Sequence, residues 1–131
     1  MRLTDSTDYS LRVLIHLNRT KSMVTLGELA EKLKISRNTL IKISNKLTKL
    51  GYVDATRGPS GGLRLGQEAG RETVGAIVRN IEENMHLAEC FKDGKIQCTL
   101  LKGCVLKICL DEALDAFVSS LDKYTLNDIT S

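Results

Sequence analysis

Apolar positions recur every three or four residues along most of this chain, with one short stretch that alternates every second residue. A first helix is predicted to begin between Thr4 and Ser6, with Leu11, Leu14, Ile15 and Leu17 on its buried side, and Arg19 to Ser22 read as a turn. Thr25 and Glu28 have capping-box spacing ahead of Leu26, Leu29, Ala30 and Leu33, which predicts a second helix. Lys34 and Ile35 form a tight connection. Ser36 then caps a third helix striped by Leu40, Ile43, Leu47 and Leu50 and closed by Gly51.

The period changes after Gly51. Tyr52 to Thr56 alternate weakly, Arg57 to Gly62 hold three glycines and the only proline, and Leu63 to Leu65 return as a partner strand. A further helix starts at Thr73, with Val74, Ile77, Val78 and Ile81 inward. Residues 84–103 show no clean period and contain Cys90 and Cys98, which predicts a loop. The last helix runs from about Cys104 to Tyr124, striped by Leu106, Leu110, Ala113, Phe117 and Leu121. The fold expected is mainly α with a small β-hairpin wing: a winged helix-turn-helix plus a long dimerisation helix.

A length of 131 residues suits one domain with an appended dimerisation element. With 42% apolar but 4% aromatic residues and no Trp, the core must be aliphatic. No apolar run is long enough to cross a membrane, and the acids Asp5 and Asp8 stand where a signal peptide would be apolar. A cytoplasmic protein is expected.

The net charge of +3 conceals an asymmetry. Residues 19–64 hold ten Lys or Arg against three acids, whereas residues 65–131 hold seven against eleven. A basic first half suggests a polyanionic partner. On a helical wheel Asn38, Lys42, Asn45 and Lys49 lie opposite the apolar stripe of the third helix, and Ser36, Arg37 and Thr39 sit at its N-terminus. These groups suit base edges and phosphates in a major groove. Arg57 and Arg64 flank Gly58, Pro59, Gly61 and Gly62, where a bare backbone can pass close to the sugar–phosphate rail while Arg57 reaches a minor groove. Each feature alone fits a solvated basic face or an ordinary hairpin tip. Their joint order and the local charge favour double-stranded DNA.

Seven, five and four residues separate Cys90, Cys98, Cys104 and Cys109. This is not the paired spacing of a zinc ribbon. The first three fit a thiolate site for a soft metal or iron–sulfur cluster, and equally a set of buried or reactive thiols. Cys109 falls in a small-residue strip with Ala113, Ala116 and Ser120, which reads as packing. His16 and His86 lack supporting partners. No acid–base constellation or nucleotide loop points to an enzyme.

Four stretches resemble the NsrR family of nitric-oxide-sensitive repressors: Leu3 to Ile15, the wing Arg57 to Leu65, Glu89 to Cys104, and Leu121 to Ile129. The cysteine spacing is the most specific part and differs from that of the related IscR repressors, whose cysteines lie closer together. The resemblance implies a homodimer on a palindromic operator, with a 4Fe-4S cluster on each subunit and nitric oxide as the signal. Its ligands map onto Cys90, Cys98 and Cys104, with Asp8 of the partner subunit completing the iron. Read from the residues alone, Asp8 is an acid in a first helical turn, paired with Arg12. The organisation implied is a winged helix-turn-helix over 1–83, a cluster-binding loop over 84–103, and a dimerisation helix with the C-terminal end over 104–131. An IscR-like regulator of iron–sulfur assembly or redox state is the alternative. Cys109 has no role in the family pattern, and Gly103 stands where a larger residue is usual.

Overall fold

Thr4 caps the first helix by accepting a hydrogen bond from the Thr7 amide, and α1 runs Asp5–Thr20 before Lys21 closes it in the left-handed region (φ 56). The computed structural model describes residues 1–131 and continues with α2 (Leu26–Leu33), whose Thr25–Glu28 capping box makes both of its bonds. Ser36 caps α3 (Arg37–Lys49) by accepting from the Thr39 amide. Strands β1 (Val53–Thr56) and β2 (Gly62–Leu65) pair antiparallel, with Val53 opposite Leu65 and Thr56 opposite Gly62. A 3₁₀ turn (Ala69–Arg71) leads to α4 (Val74–Ile81), a second (Glu89–Phe91) interrupts the cysteine segment, and α5 (Val105–Leu121) and α6 (Leu126–Thr130) complete the chain.

The core is aliphatic. Val13, Leu14 and Leu17 of α1 meet Leu29, Leu40, Ile43 and Leu47 of the helix-turn-helix, Val53 and Leu63 of the hairpin, and Ile77 and Ile81 of α4. Burying each such side chain contributes about 1.5–3 kcal/mol, which holds the reading helix and the wing on one base. The hairpin is tied further by reciprocal 2.8 Å bonds between Val24 and Leu63. Gly62 allows this approach, because a Cβ there would run into the Val24 carbonyl.

Several expectations are corrected. The buried face of α1 is rotated: Leu11 and Ile15 are half-buried at its edge, while Thr7, Ser10 and Asn18 are fully covered. Those polar groups face elements that the apolar pattern of α1 alone cannot reveal. Asn18 donates to Asn127 and Thr130 of α6, each at 2.9 Å, and Thr7 donates to the Glu82 carboxylate. Helix α6 was not expected, although Thr125 and Asp128 form a capping box at its start. It returns Leu126, fully buried, to the core beside α1. Leu50 lies beyond the last turn of α3 and is 37% exposed.

The stripe expected on α5 is split. No residue of that helix is buried, because it leans on the rest of the chain along one side, chiefly against α4. Leu110, Leu114, Val118 and Leu121 are half-buried on that side, whereas Ala113 is exposed, Leu106 is 64% exposed and Phe117 37% exposed. Cys109, read as a packing residue, is exposed within the chain. The end of α5 is fastened to α4: Asp122 accepts from Thr73 at 2.9 Å and pairs with Arg79 at 3.1 Å.

Candidate functional site: a nucleic-acid interface and a cysteine segment

Helix α3 turns Leu40, Ile43, Ser44 and Leu47 inward, which leaves Asn38, Lys42, Asn45 and Lys49 exposed on its opposite face. Ile41, missed in the sequence, is 41% exposed beside them. An apolar group among amides and ammonium groups on a reading face suits a thymine methyl. Its signal was available, since an isoleucine off the buried stripe has no packing role. At the helix start Ser36 and Thr39 are engaged with each other, hydroxyl to hydroxyl at 2.8 Å, while Arg37 is free of ion pairs and exposed.

The wing closes over one side of this helix. A cleft of about 560 Å³ between α2, α3 and the hairpin gathers Arg37, Asn45, Arg57 and Gly58. The Gly61 amide bonds the Gly58 carbonyl at 2.9 Å and shapes the tip. Arg64 is not part of that cleft; it stands with Lys21, Gln67 and Arg71 around a separate hollow of about 270 Å³. Tyr52 sets the wing base: it is 5% exposed, and its hydroxyl accepts from Asn80 at 2.7 Å. Burial pushes its phenol pKa upward, so this hydroxyl keeps its proton.

All four cysteines are free thiols. Cys90 is half-buried on the 3₁₀ turn, Cys98 is exposed in the loop, and Cys104 is half-buried as the N-cap residue of α5. Beside Cys90, the Phe91 ring lies under the Lys107 ammonium at 4.9 Å, which holds this turn against the first turn of α5, next to Cys104. No three Cys, His, Asp or Glu side chains are brought together as a metal-holding group. Three uncommitted thiols in one segment nonetheless have the donor chemistry of an iron–sulfur site. Closing the loop is what such a site would require. Asp8 accepts a two-pronged pair from Arg12 at 3.0 and 2.7 Å, as read from its i, i+4 spacing.

A basic helix presented beside a glycine-tipped wing defines a winged helix-turn-helix, the module of a DNA-binding transcriptional regulator. The chain belongs to the Rrf2 family, described as iron-dependent transcriptional regulators, which its residues 3–131 match. It is 44% identical to the HTH-type transcriptional regulator NsrR of Bacillus licheniformis, across 98% of this chain and 92% of that protein. The resemblance drawn from the four stretches therefore holds along the whole length. Among solved structures it is similar to CymR, the global cysteine regulator of B. subtilis (TM-score 0.77, 24% identity, 99% of this chain and 96% of that one). It is also similar to IscR of T. potens (TM-score 0.74, 24% identity, 98% and 85%). No helix is long and apolar enough to cross a membrane.

Proposed function

We propose that this chain is a cytoplasmic, dimeric repressor that holds a 4Fe-4S cluster on Cys90, Cys98 and Cys104 and leaves its operator when nitric oxide reaches that cluster. The observation that carries the reading is a loop with three free thiols ending at the cap of α5, in a chain 44% identical to an NsrR regulator. When bound, the cluster would supply iron at which nitric oxide reacts. The protein's own groups do the rest. Cys90 and Cys98 would draw the loop to the start of α5, and Asp8 of the partner subunit would give up its Arg12 pair to complete the iron. The strip of Val105, Leu106, Cys109, Ala113, Ala116 and Phe117 carries no charge and is exposed in the single chain, so a second copy is its natural cover.

Two half-sites on a palindromic operator lie about 34 Å apart, so both reading helices must be held at a defined spacing. Asn38, Ile41, Lys42, Asn45 and Lys49 would read the major groove, Ser36, Arg37 and Thr39 would seat the helix start, and Arg57, Gly58 and Arg64 would follow the flanking backbone. A loop released from α5 loses its hold on that spacing.

Anaerobic purification tests the proposal. Protein from an iron-replete host should carry about four irons per chain with the absorbance of a cluster. Cys90→Ser, Cys98→Ser and Cys104→Ser should each be colourless, while Cys109→Ser keeps its iron. Iron-free wild-type protein that still represses a nitric-oxide-responsive promoter would contradict the reading. A cluster that responds to iron or oxygen supply but not to nitric oxide would favour the IscR-like alternative.

A further inference from the structure

Most cations of α3 point to solvent, but one does not. Lys46 is half-buried and turned away from the face formed by Asn38, Lys42, Asn45 and Lys49. Its Nζ donates to the Ile81 carbonyl at 2.7 Å. Ile81 is the last residue of α4 and is 1% exposed. Carbonyls in a final helical turn have no partner within the helix and sit at the negative end of its dipole, so an ammonium there makes a charge-assisted bond.

The next residue is tied just as firmly, to a different helix. The Glu82 carboxylate accepts from the Thr4 amide and the Thr4 hydroxyl, each at 3.2 Å, and from the Thr7 hydroxyl. Its own amide donates to Val78 at 2.9 Å. Two consecutive residues at the end of α4 thus hold the reading helix on one side and the start of α1 on the other. From Glu83 to Gly103 the chain has only one short 3₁₀ turn, so this junction is where the cysteine segment is rooted.

We infer that Lys46 is a positioning residue: it locks the DNA-reading helix to the root of the cysteine segment and passes displacements of that segment to the reading face. It is not one of the phosphate contacts that its charge suggests. The bond itself is a property of the fold; that the segment reports cluster state rests on the function proposed above. Packing alone also joins α3 to the rest of the core, but packed aliphatic side chains tolerate small slides. A single short bond to a helix-end carbonyl fixes position.

The test uses the full chain and a promoter fragment bound by the wild type. Affinity is measured by fluorescence anisotropy over a range of salt, with anaerobic cluster-loaded and cluster-free protein. Lys46→Met keeps the apolar stem and removes the donor; Lys46→Arg retains a donor; Lys42→Met serves as the phosphate-contact reference. Circular dichroism confirms that each variant is folded. Lys46→Met should bind about fivefold or more weakly when loaded, with its loaded-to-free affinity ratio shrinking toward one. Its salt slope should match the wild type, while Lys42→Met loses about one unit of slope. Lys46→Arg should recover the affinity. A salt slope for Lys46→Met that falls as for Lys42→Met, or a loaded-to-free ratio unchanged from a responsive wild type, would overturn the inference. If the wild type itself is indifferent to cluster loading, the proposed function fails. Lys46 as a positioning residue then stands or falls on the affinity loss at unchanged slope.

Discussion

Asn18 is 1% exposed and donates to both Asn127 and Thr130, so one amide of α1, beside the Arg19 guanidinium on the Thr130 carbonyl, ties α6 to α1. Its role shows why single residues of this chain were unevenly legible. The wheel placed Asn38, Lys42, Asn45 and Lys49 correctly, because a helix's buried stripe determines its opposite face. Polar residues inside the protein gave no such signal, since the partners of Thr7 and Asn18 lie 75 and more than 100 positions away. The interface also divides by residue chemistry. Arg57 stands at the wing tip with a charge suited to phosphate, and Asn45 stands on the exposed face of α3 with an amide suited to a base edge. Arg57→Ala should weaken binding about equally across sequences and lower the salt slope by about one. Asn45→Ala should relax discrimination at one base pair by about 1–3 kcal/mol. Competition binding against a set of single-base operator variants distinguishes the two outcomes.

Caps governed the helices at the scale of elements. Thr25–Glu28, Ser36 and Thr73 each stand in sequence where a cap forms in the fold, and the wing followed from its glycines. Helix α6 escaped because its five residues are too short for a periodic pattern, whereas α5 was foreseen and only its stripe was misplaced, since one side alone packs on the chain. An ion pair fastens the end of α5 to α4. The Arg79 guanidinium, and after it the Thr73 hydroxyl, hold the Asp122 carboxyl below the ordinary carboxylate range. Asp128 is likewise lowered by its bonds to the backbone and side chain of Thr125. A carboxyl more acidic in the folded than in the unfolded chain stabilises fully above its unfolded pKa, and loses that contribution as pH falls through the folded value. Thermal stability should therefore decline below about pH 4, and Asp122→Asn should flatten that decline while lowering stability near neutrality. Melting curves over an acid series check this. An acid limb for Asp122→Asn as steep as that of the wild type would contradict it.

For the whole molecule, the charge asymmetry has a structural counterpart. The basic residues gather around α3 and the wing, and the thiols lie in the segment that leaves the C-terminal end of α4 and leads to α5 with its uncharged strip. The Ile81–Glu82 junction lies between them, bonded to both α3 and α1. Under the function proposed above, this layout would make the cysteine segment a lever on DNA binding; its closure around iron was not legible from spacing and would need groups that the single chain does not bring together. The central claim is that the state of the thiol-held iron sets DNA affinity. The most direct measurement is an anaerobic anisotropy titration of one promoter fragment with iron-loaded protein, before and after nitric oxide, beside Cys98→Ser. Tight binding that falls at least about tenfold on treatment, to the level of the untreated serine variant, is the predicted result. Equal binding in all three samples would contradict the account.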